Sequence, residues 1–276
     1  MKFYLSLFLF LFFIQNQETF AKNLLEKVSK FGKNPGKLDL FIHPPKNLER
    51  IKGRPLVVVL HGCNQTALAI ARQSGWCDLA DTFQFMTIFP QQRTANNPNL
   101  CFNWFREADA YGDNGEAASI REMIAYTCRT YNLDSQSVFV YGVSAGGMMT
   151  SSLLTMHPTE FKAGAVLAGG PFIPDLSAIE RMRIFSFKRN LENTDWIVPV
   201  RNFLPENKSW PKLLVLHGQR DLVVSPENAK ILKQQWLDLH NISSPNVFTE
   251  ESFSGNPLVE KTTYSNTENE VIVILY

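Results

Sequence analysis

The chain has 276 residues, of which 45% are hydrophobic and 19% charged. That balance supplies a sizeable buried core and argues against general disorder. The formal charge of +1, with no basic stripe, gives no electrostatic reason to expect nucleic acid as a partner.

At the N-terminus, Lys2 precedes an apolar run from Phe3 to Ile14 that gives way to polar residues and the small Ala21. The run is shorter than the roughly 18–20 apolar residues a spanning helix needs. It reads as a secretory signal, residues 1–21, cleaved near Ala21; an uncleaved anchor is the alternative. Residues 22–276 are then expected to form one domain that works outside the cytoplasm, extracellular or periplasmic, with no stable membrane span after cleavage. An oxidising destination permits disulfides among Cys63, Cys77, Cys101 and Cys128. A Cys63–Cys101 bridge is favoured, because both residues fall in loops at one edge of the expected sheet. Cys77 and Cys128 lie in amphipathic helical stretches and read as buried free thiols. The spacing does not resemble a zinc site.

Strand and helix signals alternate from residue 54 onward, which predicts a parallel sheet with crossover helices. Leu56–Leu60 is a fully apolar run ending at His61-Gly62, as a central parallel strand would be. A helix is expected over Ala67–Asp81, then a strand over Phe85–Phe89 stopped by Pro90. A polar loop carries Cys101-Phe102-Asn103-Trp104-Phe105. The next helix, from about Gly115 to Tyr131, places Ile120, Met123, Ile124 and Cys128 on one face. Val138–Tyr141 reads as a strand and Met148–Met156 as a helix ended by Pro158. Ala163–Ala168 and Leu213–Leu216 are further strands. The irregular stretch 171–210 reads as an insertion or cap over the sheet edge. Ser225-Pro226 opens a helix, and Glu270–Tyr276 is a closing strand.

Between the strand at Val138–Tyr141 and its helix stands Gly142-Val143-Ser144-Ala145-Gly146. This is the pattern of a nucleophile elbow, with Ser144 on a turn so tight that side chains at 142 and 146 would collide. A serine hydroxyl is a weak nucleophile and needs sharp presentation and a base. In the α/β-hydrolase arrangement the oxyanion hole takes one N–H from the residue after the nucleophile, here Ala145, and one from the loop after the first central strand. His61-Gly62-Cys63-Asn64 occupies that place, and the Cys63 N–H is the candidate donor. His61 itself reads as structural. Asp221, beyond the strand Leu213–Leu216, follows Ser144 in the order expected of the acid that orients the catalytic imidazole.

The segments LVVVLHGCNQT (56–66), SGWCDLAD (74–81), CFNWF (101–105), GEAASI (115–120), YGVSAGGMMT (141–150) and WPKLLVLHGQRD (210–221), with Asn228-Ala229 and Gln235-Trp236, resemble the poly(3-hydroxybutyrate) depolymerase family of esterases. That family includes extracellular polyester depolymerases, feruloyl esterases and acetylxylan esterases. The resemblance implies a metal-free and cofactor-free carboxylic-ester hydrolase working through an acyl-enzyme on a polyester, oligoester or plant-wall ester. It also implies that Asn103 and Trp104 lie near the active-site mouth; core packing is the other reading of Trp104.

The family pattern is incomplete in one respect. The triad histidine is expected after the last strand, in a Gly-x-Gly-His type loop, whereas the sequence reaches Tyr276 on what reads as that strand. His240 is the only histidine beyond Asp221, and it reads as solvated or helix-capping. The expected fold is therefore an α/β-hydrolase, a mostly parallel sheet with helices on both faces, lacking the C-terminal histidine loop and the last helix. Without that helix, the sheet face beside Ala67–Asp81 would expose apolar surface. A truncated enzyme, inactive as written, is the favoured reading. A non-catalytic relative that binds polymer or a protein partner is the alternative.

Overall fold

The structure is a computed structural model that describes residues 24–174, 177, 179–181, 200, 209–266 and 270–275. The expected signal at 1–21 and most of the expected cap at 171–210 lie outside the described residues. Ten described strands form one sheet: β1 (Glu26–Val28), β2 (Asp39–His43), β3 (Leu56–Leu60), β4 (Met86–Gln91), β5 (Val138–Val143), β6 (Ala163–Leu167), β7 (Lys212–Leu216), β8 (Asn246–Glu250), β9 (Lys261–Ser265) and β10 (Glu270–Leu275). Their spatial order is β1-β2-β4-β3-β5-β6-β7-β10-β9-β8. The run from β4 to β10 is parallel, and antiparallel strands flank it at both edges.

Helices α1 (Ala67–Gln73), α2 (Trp76–Phe83), α3 (Glu107–Ala110), α4 (Glu116–Tyr131), α5 (Ala145–Met156) and α6 (Glu227–Leu239) connect these strands. Helices lie on both faces of the sheet. Leu56, Val58, Val138 and Val140 point to one face and pack with Ile120, Met123, Met149, Leu153, Leu232 and Trp236 from α4, α5 and α6. Val57, Val59 and Phe89 point to the other and pack with Ala67, Ile70, Ala71 and Cys77 from α1 and α2. The all-apolar sequence of β3 follows from this double cover, since every residue in it is buried. Beyond α2, the second face carries an apolar groove of about 370 Å³ lined by Trp76, Phe85, Phe139, Tyr141 and Leu214.

Several elements depart from the expected pattern. The single helix expected at Ala67–Asp81 is two, because Gly75 adopts φ 73° and turns the chain between them. Strand β4 runs through Pro90 instead of stopping there. Its pairing with β3 ends at Val58↔Ile88, so beyond that point only β2 lies alongside, with Leu40 opposite Pro90. A missing N–H is tolerated where one side has no partner. The helix expected to open at Ser225-Pro226 begins at Glu227 with Pro226 as its cap residue. Strands β1, β2, β8 and β9 have no counterpart among the expected elements. Strand β8 is almost wholly exposed and so carries no alternating pattern to find.

Candidate active site

Strands β3, β5, β6 and β7 end in step, with Leu60 opposite Gly142, Val143 opposite Leu167, and Leu167 opposite Leu216. The loops that carry Cys63, Ser144 and Asp221 therefore leave from the same, carboxyl-terminal edge of the parallel sheet, the usual place for ligand sites in such sheets.

Ser144 stands between β5 and α5 with φ 55° and ψ −118°. For a residue with a side chain this conformation costs about 1–3 kcal/mol. It is held there by two backbone bonds: Ser144 N–H donates to Leu167 O at 2.9 Å, and Ser144 O accepts from Met148 N at 3.0 Å. The elbow glycines are required for a sharper reason than mutual collision. A Cβ on Gly142 would lie 2.1 Å from Gly146 O, and a Cβ on Gly146 would lie 2.4 Å from Leu60 O and 2.6 Å from His61 O. The second contact ties the elbow directly to the end of β3.

Gly62 faces the serine. A Cβ at position 62 would start 3.3 Å from Ser144 Cβ and 3.4 Å from Val143 O. The loop is braced by Gly62 N–H donating to Gln65 Oε1 at 2.8 Å and by Asn64 N–H donating to Asn99 O at 2.7 Å. Among the described residues, the Cys63 N–H between these two bonds donates to no protein acceptor. Ala145 N–H belongs to the first turn of α5, whose N–H groups have no partner within the helix and form its positive end. A Cys63–Cys101 disulfide pins the same loop to the polar loop that follows β4; Cys77 and Cys128 are buried and free.

Asn103 and Trp104 are both buried. Asn103 is buried and its side chain is already engaged: Nδ2 donates to Glu116 Oε1 at 2.7 Å, and Oδ1 accepts from Asn97 Nδ2 at 3.0 Å. Trp104 is 8% exposed, sits in the main core and meets Phe105 edge-on. The core-packing reading of Trp104 is the one the burial supports, and Asn103 braces its loop.

Asp221 lies in a turn after β7. Its Oδ1 accepts from Val223 N at 2.8 Å and Val224 N at 2.9 Å, while Oδ2 faces His217 Nε2 at 3.7 Å. None of the five histidines hydrogen-bonds Ser144 among the described residues. His43 meets Leu24 O and Asp81, and His157 lies 4.0 Å from Glu160. His217 donates to Val224 O at 3.1 Å. His240 caps α6, where burial lowers its pKa against the opposing effect of a bond to the Pro211 backbone. His61 is wholly buried, with Nδ1 2.7 Å from Gly62 O and Nε2 accepting from Gln92 N at 3.1 Å. Burial brings its pKa down to about 4, so the ring is neutral and carries its proton on Nδ1.

Two residues of the site's support had no assigned role in the sequence: Gln92 and Glu116. Glu116 is buried at the start of α4 and accepts from Gln92 Nε2, Asn103 N and Asn103 Nδ2. Burial, with the Asp109 charge adding to it, pushes its pKa up to about 7 despite these donors. A carboxylate inside Gly115-Glu116-Ala117-Ala118-Ser119, among residues too small to shield it, was the available signal.

A model of the family described as "Esterase PHB depolymerase" matches residues 37–246. The chain is 36% identical over 250 residues to poly(3-hydroxyalkanoate) depolymerase C of Paucimonas lemoignei, covering 87% of this chain and 60% of that protein. It is 30% identical over 230 residues to acetylxylan esterase A of Aspergillus oryzae, covering 80% of this chain and 73% of that one. Among solved structures, the acetyl xylan esterase from Aspergillus awamori superposes with a TM-score of 0.73 at 23% identity, covering 91% of both chains. That likeness concerns the fold, which is that of the α/β-hydrolases. With the family model spanning most of its length, and a relative 36% identical over 87% of it, the chain belongs to the esterase PHB depolymerase family.

Proposed function

We propose that residues 22–276 are the ester-hydrolysing domain of a secreted serine esterase, with residues 1–21 as its signal. Ser144 Oγ attacks the carbonyl carbon of the ester, and the carbonyl oxygen becomes an oxyanion received by Cys63 N–H and Ala145 N–H. Collapse expels the alcohol with a proton and leaves an acyl-serine, which water hydrolyses to the acid and free Ser144. Asp221, with Oδ1 fixed by two backbone donors, orients the imidazole that moves these protons. The substrate class is a polyhydroxyalkanoate-type or similar ester, in keeping with the relatives. Secretion is supported by the Cys63–Cys101 bridge. The observation that carries the reading is the strained Ser144 facing Gly62, beside an uncommitted Cys63 N–H.

No histidine among the described residues hydrogen-bonds Ser144, so the 276-residue chain alone hydrolyses esters slowly, by several orders of magnitude relative to a complete triad. Free imidazole in the buffer can stand in for the missing base. The test is hydrolysis of 4-nitrophenyl butyrate with and without imidazole, in the chain and in Ser144→Ala. An imidazole-dependent rate well above that of Ser144→Ala is expected. Equal rates in the two proteins would overturn the proposal.

A further inference from the structure

The Gly62–Cys63 peptide carries two groups that point in opposite directions: the Gly62 carbonyl and the Cys63 N–H. A planar trans peptide leaves them no independence, so whatever fixes the carbonyl also aims the N–H. The carbonyl is fixed by His61, whose Nδ1–H donates to it at 2.7 Å, with a weaker bond from Gln65 N at 3.3 Å. The imidazole is itself constrained on three sides. Its Nε2 accepts the Gln92 backbone N–H at 3.1 Å, which selects the tautomer with the proton on Nδ1. Its ring packs against Phe102 at 4.7 Å between centroids. Gln92 in turn is held through its side chain, which donates to Glu116 Oε1 at 2.5 Å and to Cys101 O at 2.9 Å. A wholly buried histidine with both nitrogens engaged is more elaborate than a loop filler requires.

We propose that His61 is the positioning residue of the oxyanion hole, setting the Gly62–Cys63 peptide so that Cys63 N–H faces the carbonyl oxygen attacked by Ser144, with Gln92 and Glu116 fixing the tautomer and place of the ring. The proposal rests on the esterase reading above. It separates two functions within one side chain. The Nδ1–H bond orients the oxyanion donor, whereas the Nε2 bond only anchors the ring to the polar loop. The Nδ1–H bond also polarises the peptide, which strengthens Cys63 N–H as a donor.

The amides of Asn and Gln divide these functions. His61→Asn places an N–H donor near the Nδ1 position and drops the acceptor; His61→Gln places an acceptor near the Nε2 position and drops the donor to Gly62 O. Both are assayed by imidazole-dependent, Ser144-dependent hydrolysis of 4-nitrophenyl butyrate, at a temperature where circular dichroism shows both folded. His61→Gln is expected to lose tenfold to a hundredfold in kcat with KM changed less than threefold, while His61→Asn keeps kcat within about fivefold. Loss of a whole oxyanion donor costs about 10²–10³ in kcat, which bounds the effect. A purely structural histidine would instead lower the two rates together in proportion to lost stability. His61→Gln at full rate, or His61→Asn as impaired as His61→Gln, overturns the inference and leaves the esterase reading standing. Absence of any Ser144-dependent rate in the unsubstituted chain overturns both.

Discussion

Gly62 and Ser144 meet across the site so closely that a Cβ at position 62 would begin 3.3 Å from the serine Cβ. Gly146, two residues past the serine, is closed off differently, since its Cβ would fall 2.4 Å from Leu60 O. The first contact is tight but negotiable, while the second strikes backbone that cannot yield. Gly62→Ala is therefore expected to fold with a stability loss of about 1 kcal/mol or less, yet to lose more than tenfold of the imidazole-rescued esterase rate by crowding the oxyanion position. Gly146→Ala is expected to lose several kcal/mol by forcing the elbow off the end of β3. Denaturant titration of both variants, beside the rate assay, checks the contrast.

The strain at Ser144 makes its own prediction. With φ 55° and ψ −118°, the position suits glycine better than any residue with a Cβ. Ser144→Gly should therefore be more stable than Ser144→Ala by about 1 kcal/mol, after allowing for the greater entropy of an unfolded glycine. Both variants lack the hydroxyl, so chemical denaturation of the pair isolates the backbone effect. An alanine variant at least as stable as the glycine one would remove strain from the account.

The disulfide joins Cys63 and Cys101 across a sequence separation of 38. By loop-closure entropy a loop of that size is worth about 4 kcal/mol. The double variant Cys63→Ser/Cys101→Ser should show a midpoint of unfolding reduced by a corresponding amount. Its residual esterase rate should fall further than its stability at assay temperature explains, because the bridge holds the loop that carries the Cys63 N–H.

Two buried groups set opposing pH dependences. Glu116, raised from 4.5 to about 7 in the fold, keeps its proton where the unfolded chain would release it. Its contribution is therefore present below about pH 4.5 and lost as pH rises towards about 7. His61, lowered from 6.5 to about 4, stays neutral where the unfolded chain would protonate. Its contribution is present above about pH 6.5 and lost as pH falls towards about 4. Glu116→Gln removes the first and keeps the second. Between pH 4.5 and 6.5, the stability of Glu116→Gln should climb more steeply with pH than that of the parent chain. Urea midpoints at several pH values across that window measure the difference, and identical slopes would contradict the assigned titration of Glu116.

The parts of the fold legible in the sequence are those where burial imposes a pattern. Leu56–Leu60 is apolar throughout because helices cover both faces, and Ile120, Met123, Ile124 and Cys128 mark the buried stripe of α4. The elbow was legible because Gly142 and Gly146 are demanded by backbone contacts that the motif itself encodes. What escaped was decided by tertiary context. Strand β8 is exposed and irregular in pattern, and Pro90 continues a strand because β3 no longer pairs with β4 at that point. The burial of Asn103 and Trp104 was not legible for the same reason: it depends on Glu116, which binds Asn103, and on the Phe105 ring that meets Trp104 edge-on. His61 could be read as structural from its place at a strand end. Its bond to the peptide that aims Cys63 N–H could not, since it depends on Gln92, which lies 31 residues away along the chain.

The central claim is that Ser144 is the nucleophile. The most direct measurement is covalent: the chain is treated with a fluorophosphonate in the presence of imidazole, digested with trypsin and sequenced by mass spectrometry. The predicted result is a phosphonyl adduct on Ser144 within the fragment spanning residues 130–162, absent after Ser144→Ala. An adduct on any other residue, or one that persists in Ser144→Ala, would contradict the account.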